Sequence, residues 1–161
     1  MSFTTKRVGL KFNCRTASFV LASLLIALAG CDGDSPDRLR NDIPNGIPAG
    51  ETVYYNTKWF KCAVAIYKLE PGFVDEVRQN GLASLNRATS APWTETPAFG
   101  ADDRGRWVVD LIDSLDCIAD QKLQTLFHRA SDGGGYFQVQ ETNSTTLIAP
   151  DEGLVMVGGY E

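Results

Sequence analysis

Six aspartates crowd one short stretch of the sequence, and carboxylates at this density are the residues best suited to chemistry. They are Asp102, Asp103, Asp110, Asp113, Asp116 and Asp120. Two carboxylates about 5–10 Å apart in a cleft can hydrolyse a glycosidic bond, and carboxylate oxygens also bind hard cations. However, Asp113 and Asp116 stand where a helix cap and first turn are expected, and acids are favoured there for structural reasons. We therefore predict no catalytic residue, no metal ligand and no cofactor. A small hydrolase or metal-dependent enzyme using the 102–120 acids is the alternative.

The chain has a single histidine, His128. A site that needs two imidazoles is thereby excluded, and a Ser-His-Asp triad would have to use this residue. No Gly-x-Ser-x-Gly motif presents a nucleophile. Instead, His128 and Arg129 are predicted to lie in the last turn of a helix, where positive charge interacts favourably with the helix dipole.

Residues 88–106 are predicted to form a long irregular segment, and such segments in small domains are often functional. Trp and Arg are favoured contact residues in protein interfaces. The side chains that could contact a protein partner are therefore Trp93, Phe99, Arg104 and Arg106. In the alternative interpretation, both aromatic rings fold back onto the hydrophobic core and cover it.

The N-terminal region is typical of a secretory signal peptide. Its first fifteen residues contain four basic side chains and no acidic one, and residues 17–30 contain no charge. A relaxed helix needs about 20 apolar residues to cross a membrane, so this run is too short to span one. A basic start, a short apolar run and small residues at its end indicate a secretory signal peptide. A buried core helix is the alternative.

The apolar run ends in Leu28-Ala29-Gly30-Cys31, a tetrad that resembles the lipobox of bacterial lipoproteins. The resemblance implies that the chain is cut before Cys31 and that this cysteine carries a diacylglyceryl thioether. It also implies an envelope location, with the protein facing the periplasm and held by a lipid bilayer that it does not span. Asp32 resembles the signal for retention at the inner membrane in enteric bacteria. Anchoring at the outer membrane is the alternative.

Two cysteines, Cys62 and Cys117, remain in the mature chain once Cys14 is removed and Cys31 is lipidated. Two cysteines in a small exported domain usually pair, because the compartment is oxidising. We therefore predict a Cys62–Cys117 disulfide, with two buried free thiols as the alternative. A zinc site is disfavoured, because two cysteines and one histidine cannot supply four ligands.

The mature chain is acidic and divides into two parts. The full sequence of 161 residues has a formal charge of −5, and removing the four basic residues of the leader leaves 11 basic against 20 acidic residues, or −9. This balance disfavours nucleic acid and suits a basic protein partner.

Residues 31–50 are rich in Pro, Gly and Asp and are predicted to form a flexible tether. Residues 51–161 are predicted to form one globular domain.

The elements of this domain predict an α+β fold. Apolar spacing and turn signals predict strands at 52–55, 59–67, 107–112, 136–141, 145–149 and 154–158. For 59–67 a helix is the alternative. Pro71 indicates the start of a helix that Asn80-Gly81 can end early. Helical spacing predicts one long helix from Ser114 to Ser131. An antiparallel sheet packed against one or two helices accommodates these elements.

Together, these features predict a membrane-anchored envelope lipoprotein whose domain is a non-catalytic protein-binding module. Two roles fall within that description. One is an accessory of a larger envelope complex. The other is an inhibitor or immunity protein that acts against a basic toxin or a cell-wall hydrolase.

Overall fold

A computed structural model of the protein describes residues 35–58, 62–97, 113–140 and 144–159. Its strands, numbered along the chain, are β1 (Ala49–Lys58), β2 (Cys62–Leu69), β3 (Thr94–Glu95), β4 (Tyr136–Val139), β5 (Ser144–Ala149) and β6 (Leu154–Gly159). They form one six-stranded sheet in the order β1-β2-β6-β5-β4-β3, and every neighbouring pair is antiparallel. The predicted antiparallel sheet is confirmed, including the meander of the last three strands. The strand predicted at 107–112 lies outside the described residues.

Helices cover the sheet, which confirms a single small α+β domain. They are α1 (Pro36–Asn41), α2 (Pro71–Asn80), α3 (Leu82–Ala88) and α4 (Gln121–Asp132), and residues 113–116 form an additional helical turn. The helix predicted at Pro71 begins there, and Gly81, at φ +54°, separates it from α3. Among the described residues, no helix is long and apolar enough to cross a membrane.

The sheet separates two hydrophobic cores, because alternate residues of each strand point to opposite faces. The α4 core consists of Cys62, Val64, Ile66, Leu115, Cys117, Ile118, Phe127, Ala130, Phe137, Leu147, Ala149, Leu154 and Met156. The α1 core consists of Leu39, Ile43, Ile47, Ala63, Ala65, Tyr67, Leu69, Val74, Val77, Leu85, Trp93, Ile148, Val155 and Val157. Strand β2 therefore contributes to both cores, and its residues 62–67 are buried on both faces of the sheet.

The single helix predicted from Ser114 to Ser131 is wrong, because the chain leaves helical geometry between residues 117 and 120. Strand β1 supplies partners for the backbone there. The side-chain amide of Asn56 donates to the Cys117 carbonyl at 2.7 Å, and the Tyr54 hydroxyl accepts from the Ala119 N–H at 2.7 Å. Helix α4 then starts afresh at Asp120, whose carboxylate accepts two backbone N–H groups of the first turn.

The tether predicted for residues 31–50 is wrong from Ser35 onward, so the domain begins well before residue 51. Ser35 caps α1, and Leu39, Ile43 and Ile47 are buried in the α1 core. These three apolar residues are separated by four positions each. The composition of Pro, Gly and Asp around them hid this spacing, because averaged composition does not register a few well-placed apolar side chains.

Candidate functional site

Cys62 and Cys117 form the predicted disulfide, and their Cα atoms are 6.4 Å apart. The bond joins the start of β2 to the irregular segment before α4, and both residues are buried. It closes a loop of 55 residues, for which the chain-entropy model predicts a stabilisation of about 4 kcal/mol. Its role is structural, because the bond lies inside the α4 core.

The predicted acidic cluster is only partly described, since Asp102, Asp103 and Asp110 lie outside the described residues. The Asp120 carboxylate accepts the N–H groups of Lys122 and Leu123 at 2.9 and 3.0 Å, which makes it the N-cap of α4. Asp116 is exposed on the preceding helical turn. Within the part of the chain that is described, no group of three or more His, Cys, Asp and Glu residues could hold a metal ion.

His128 lies in α4, one turn before its end, and is half-buried. The Ser131 hydroxyl donates to the His128 carbonyl at 2.8 Å. Arg129 belongs to the last turn of the helix, as the sequence predicts. These positions fit the helix-dipole interpretation of the pair.

The prediction that Trp93 contacts a partner is wrong, because its side chain is only 4% exposed. The indole Nε1 donates to the Thr89 hydroxyl at 2.9 Å, and the Trp93 N–H donates to the Asn86 side-chain oxygen at 2.9 Å. Trp93 thus belongs to the α1 core, as the alternative interpretation had it. The other predicted contact residues, Phe99, Arg104 and Arg106, lie outside the described residues.

A groove at one end of the sheet is a candidate binding site in the described part of the chain. It lies between the end of β2, the start of α2 and the turn that joins β5 to β6, and its volume is about 310 Å³. The apolar residues that line it are Leu69, Pro71, Val74 and Leu154. The charged residues that line it are Lys68, Asp75, Arg78 and Glu152.

Hydrogen bonds between the elements hold the walls of the groove together. The Leu69 N–H donates to the Gly153 carbonyl at 2.9 Å, and the Arg78 guanidinium donates to the Asp151 carbonyl at 2.7 Å. Gly153 has a φ of +65°, and a Cβ atom there would lie 3.5 Å from Val74. The turn therefore needs glycine for its backbone conformation, while the space itself would allow a small side chain.

The charged groups of the groove form exposed ion pairs. Arg78 lies 3.7 Å from Asp75 on α2, and Arg129 of α4 lies 3.5 Å from Glu152. Pairs of this kind contribute little to stability, because water screens them well. A cationic side chain of a partner could therefore replace Arg78 or Arg129 at little cost.

Tyr136 lies near two acidic side chains, Glu95 and Asp151. Burial raises the pKa of the Tyr136 hydroxyl above its usual value, and the negative charges of Glu95 and Asp151 raise it further. The hydroxyl lies against Gly81, where a Cβ atom would be only 3.0 Å away. The surroundings of Tyr136 therefore favour its neutral form.

Sequence reasoning identified none of the groove residues as functional. The turn at residues 150–153 and the helix start at Pro71 were both predicted, but as separate features of the chain. They meet because β6 lies beside β2 in the sheet, and no local pattern specifies that pairing.

No protein-family model, curated protein or solved structure matches this chain at a significant level.

Proposed function

We propose that the protein is a bacterial cell-envelope lipoprotein, anchored by a lipid on Cys31 and facing the periplasm. The lipobox tetrad and the signal-peptide pattern before it support this proposal. Asp32 favours the inner membrane, with the outer membrane as the alternative. Mass spectrometry of the N-terminal peptide from membranes tests the anchor, and a diacylglyceryl thioether on Cys31 is expected. A mature chain that begins elsewhere, or that has an unmodified Cys31, would contradict it.

The folded domain, in this proposal, is a non-catalytic module that binds a basic protein. The observation that carries the proposal is the groove, which is lined by apolar residues together with the exposed carboxylate of Asp75 and the partly exposed carboxylate of Glu152. An aliphatic stem can lie on such a floor while its ammonium or guanidinium group reaches a carboxylate. The formal charge of −9 after cleavage adds long-range attraction for a basic partner.

Two biological roles remain within this proposal, an accessory of an envelope complex and an inhibitor or immunity protein against a basic toxin or cell-wall hydrolase. Both need the same kind of surface. The alternative function is an enzyme that uses the 102–120 acids. One of these acids, Asp120, caps α4.

Charge reversal at the groove tests the binding site. At low salt, the mature wild-type protein should capture a protein of the cell envelope. The variant Asp75→Lys/Glu152→Lys should capture at least about tenfold less of that protein, because close interfacial charges control association. The matched control is Asp116→Lys/Asp132→Lys, which changes the net charge equally at exposed positions that do not line the groove.

Circular dichroism should show that both double variants are folded. If both variants lose the captured protein equally, only the net charge matters and the groove is not the site. If neither variant loses it, the groove is not the binding site. If no protein is captured while cell-wall substrates are cleaved, the binding module is refuted.

A further inference from the structure

The N-terminal end of the described chain is held in the fold by polar contacts. The Tyr67 hydroxyl donates to the Pro36 carbonyl. The Arg40 guanidinium donates to the carbonyls of Ala49 and Gly50 at 3.0 and 2.6 Å. Arg40 also lies over the Tyr67 ring, 4.7 Å from its centre. Helix α1 is therefore fixed to β1 and β2 and does not act as a spacer.

Apolar packing holds the same segment in place. Leu39, Ile43 and Ile47 are only 6–7% exposed. Lengthening the tether by detaching α1 would transfer all three side chains from the α1 core to water, which opposes detachment. The segment that can separate Cys31 from the domain consequently ends at Ser35.

That limit places the domain close to whatever holds Cys31. Four residue steps lead from Cys31 to Ser35, and consecutive Cα atoms are about 3.8 Å apart, so the two residues are at most about 15 Å apart. A tether that reached residue 50 would span up to about 65 Å when extended. The short link keeps the domain close to the membrane surface, whereas the longer tether would let the domain reach partners farther from it.

We propose that the α1 end of the domain is a membrane-contacting surface, held against the lipid headgroups by the short link to Cys31. This inference rests on the lipid anchor proposed above. The exposed residues of the first turn, Asp37 and Arg38, have opposite charges, so the anchor and not headgroup attraction supplies the contact.

Energy transfer from a labelled domain to acceptors on lipid headgroups tests the contact. The lipidated protein, isolated from membranes, is reconstituted into vesicles after labelling at Asp37→Cys on α1 or at Gln121→Cys on α4. Helices α1 and α4 lie on opposite faces of the sheet. In a second pair of proteins, about 16 Gly and Ser residues, which span roughly 20–24 Å when relaxed, are inserted before Ser35.

We expect strong transfer from residue 37 that falls at least about twofold on insertion, because the inserted chain adds more than the original link. Transfer from residue 121 should change less, and raised salt should leave the residue 37 signal intact. If transfer from residue 37 is weak even without the insertion, or stays equally strong after it, while the protein remains on the vesicles, the short link does not hold α1 at the headgroups. The proposal is then refuted and the anchor stands. If the protein does not stay on the vesicles, the lipid anchor is refuted and the contact with it.

Discussion

The α4 core and the α1 core bury opposite faces of the same strands, yet different interactions hold their helices to the sheet. On the α4 side, a disulfide and hydrogen bonds from Tyr54 and Asn56 attach an irregular segment to β1 and β2. On the α1 side, three short helices and Trp93 are held mainly by apolar packing, with Arg40 as a polar addition.

The difference reflects the backbone of each region. A segment outside regular structure leaves N–H and C=O groups without helical partners, and buried groups of that kind need side chains to satisfy them. Helices satisfy the backbone groups of their interior, so the α1 side depends mainly on apolar contacts, with polar contacts from Arg40 and Tyr67 at α1. Breaking each region separately should therefore affect stability in different amounts and by different mechanisms.

Loss of the disulfide should have the largest effect. The double variant Cys62→Ala/Cys117→Ala should reduce the free energy of unfolding by about 4 kcal/mol, because the unfolded chain regains the freedom of a 55-residue loop. Urea denaturation of the mature protein measures this loss. Reducing the wild type with a thiol should have a similar effect. If the variant and the oxidised wild type unfold at the same urea concentration, the α4 side does not depend on this bond.

Shortening a buried side chain of α1 should cause the second largest loss of stability. Leu39→Ala should cost about 3 kcal/mol, because it leaves a cavity in the α1 core. The neighbouring Asn41→Ala, at an exposed position, serves as the control and should change stability by less than about 0.5 kcal/mol. Equal stability of the two variants in urea would mean that residues 35–50 are a tether after all.

Loss of the α4 cap should have a smaller effect. Asp120→Ala should cost about 1 kcal/mol, because two N–H groups of the first turn lose their acceptor. Asp120→Asn should retain most of the stability, since Asn is an equally good N-cap. If the Asn variant is as unstable as the Ala variant, the charge of Asp120 matters rather than its hydrogen bonds.

Ionisation of Tyr67 should not change the stability of the protein at neutral pH and should lower it only in alkali. Burial raises its pKa to about 12, although the charge of Arg40 opposes the shift. An unfolded tyrosine has a pKa of about 10, so the folded state holds its proton more tightly. The resulting stability is complete below pH 10 and is lost as the pH rises from 10 to 12.

Comparing Tyr67→Phe with the wild type isolates the loss of stability that ionisation of Tyr67 causes. At neutral pH the variant should be less stable by about 1 kcal/mol, because the hydrogen bond to the Pro36 carbonyl is gone. Thermal melts between pH 9 and 12 should show a shallower decline for the variant. Parallel declines would mean that other groups control the alkaline unfolding.

Several elements of the fold could be predicted from local patterns. The helix start at Pro71 and the break at Gly81 depend on backbone preferences of one or two residues, which act within a single turn. The three C-terminal strands were predicted for the same reason, since turn residues separate them. The Cys62–Cys117 pair followed from a count of cysteines and from the compartment.

The errors arose where distant residues control local structure. Residues 117–120 have helical spacing, but Tyr54 and Asn56 of β1 bind their backbone and interrupt the helix. Trp93 stands among polar residues and prolines in the sequence, but the Thr89 hydroxyl and the α1 core surround it.

From its residues alone, the chain predicts an exported acidic protein with a lipid-anchoring cysteine and an α+β domain, because leader, charge and strand patterns are local properties. The groove and the start of the folded domain at Ser35 became visible only in the folded molecule. The groove exists because β6 pairs with β2 and brings the turn at Gly153 to α2. The segment after Ser35 belongs to the domain because Leu39, Ile43 and Ile47 are buried in a core formed by residues far along the chain. Long-range pairing and burial are decided by the whole fold, and a window of sequence does not contain them.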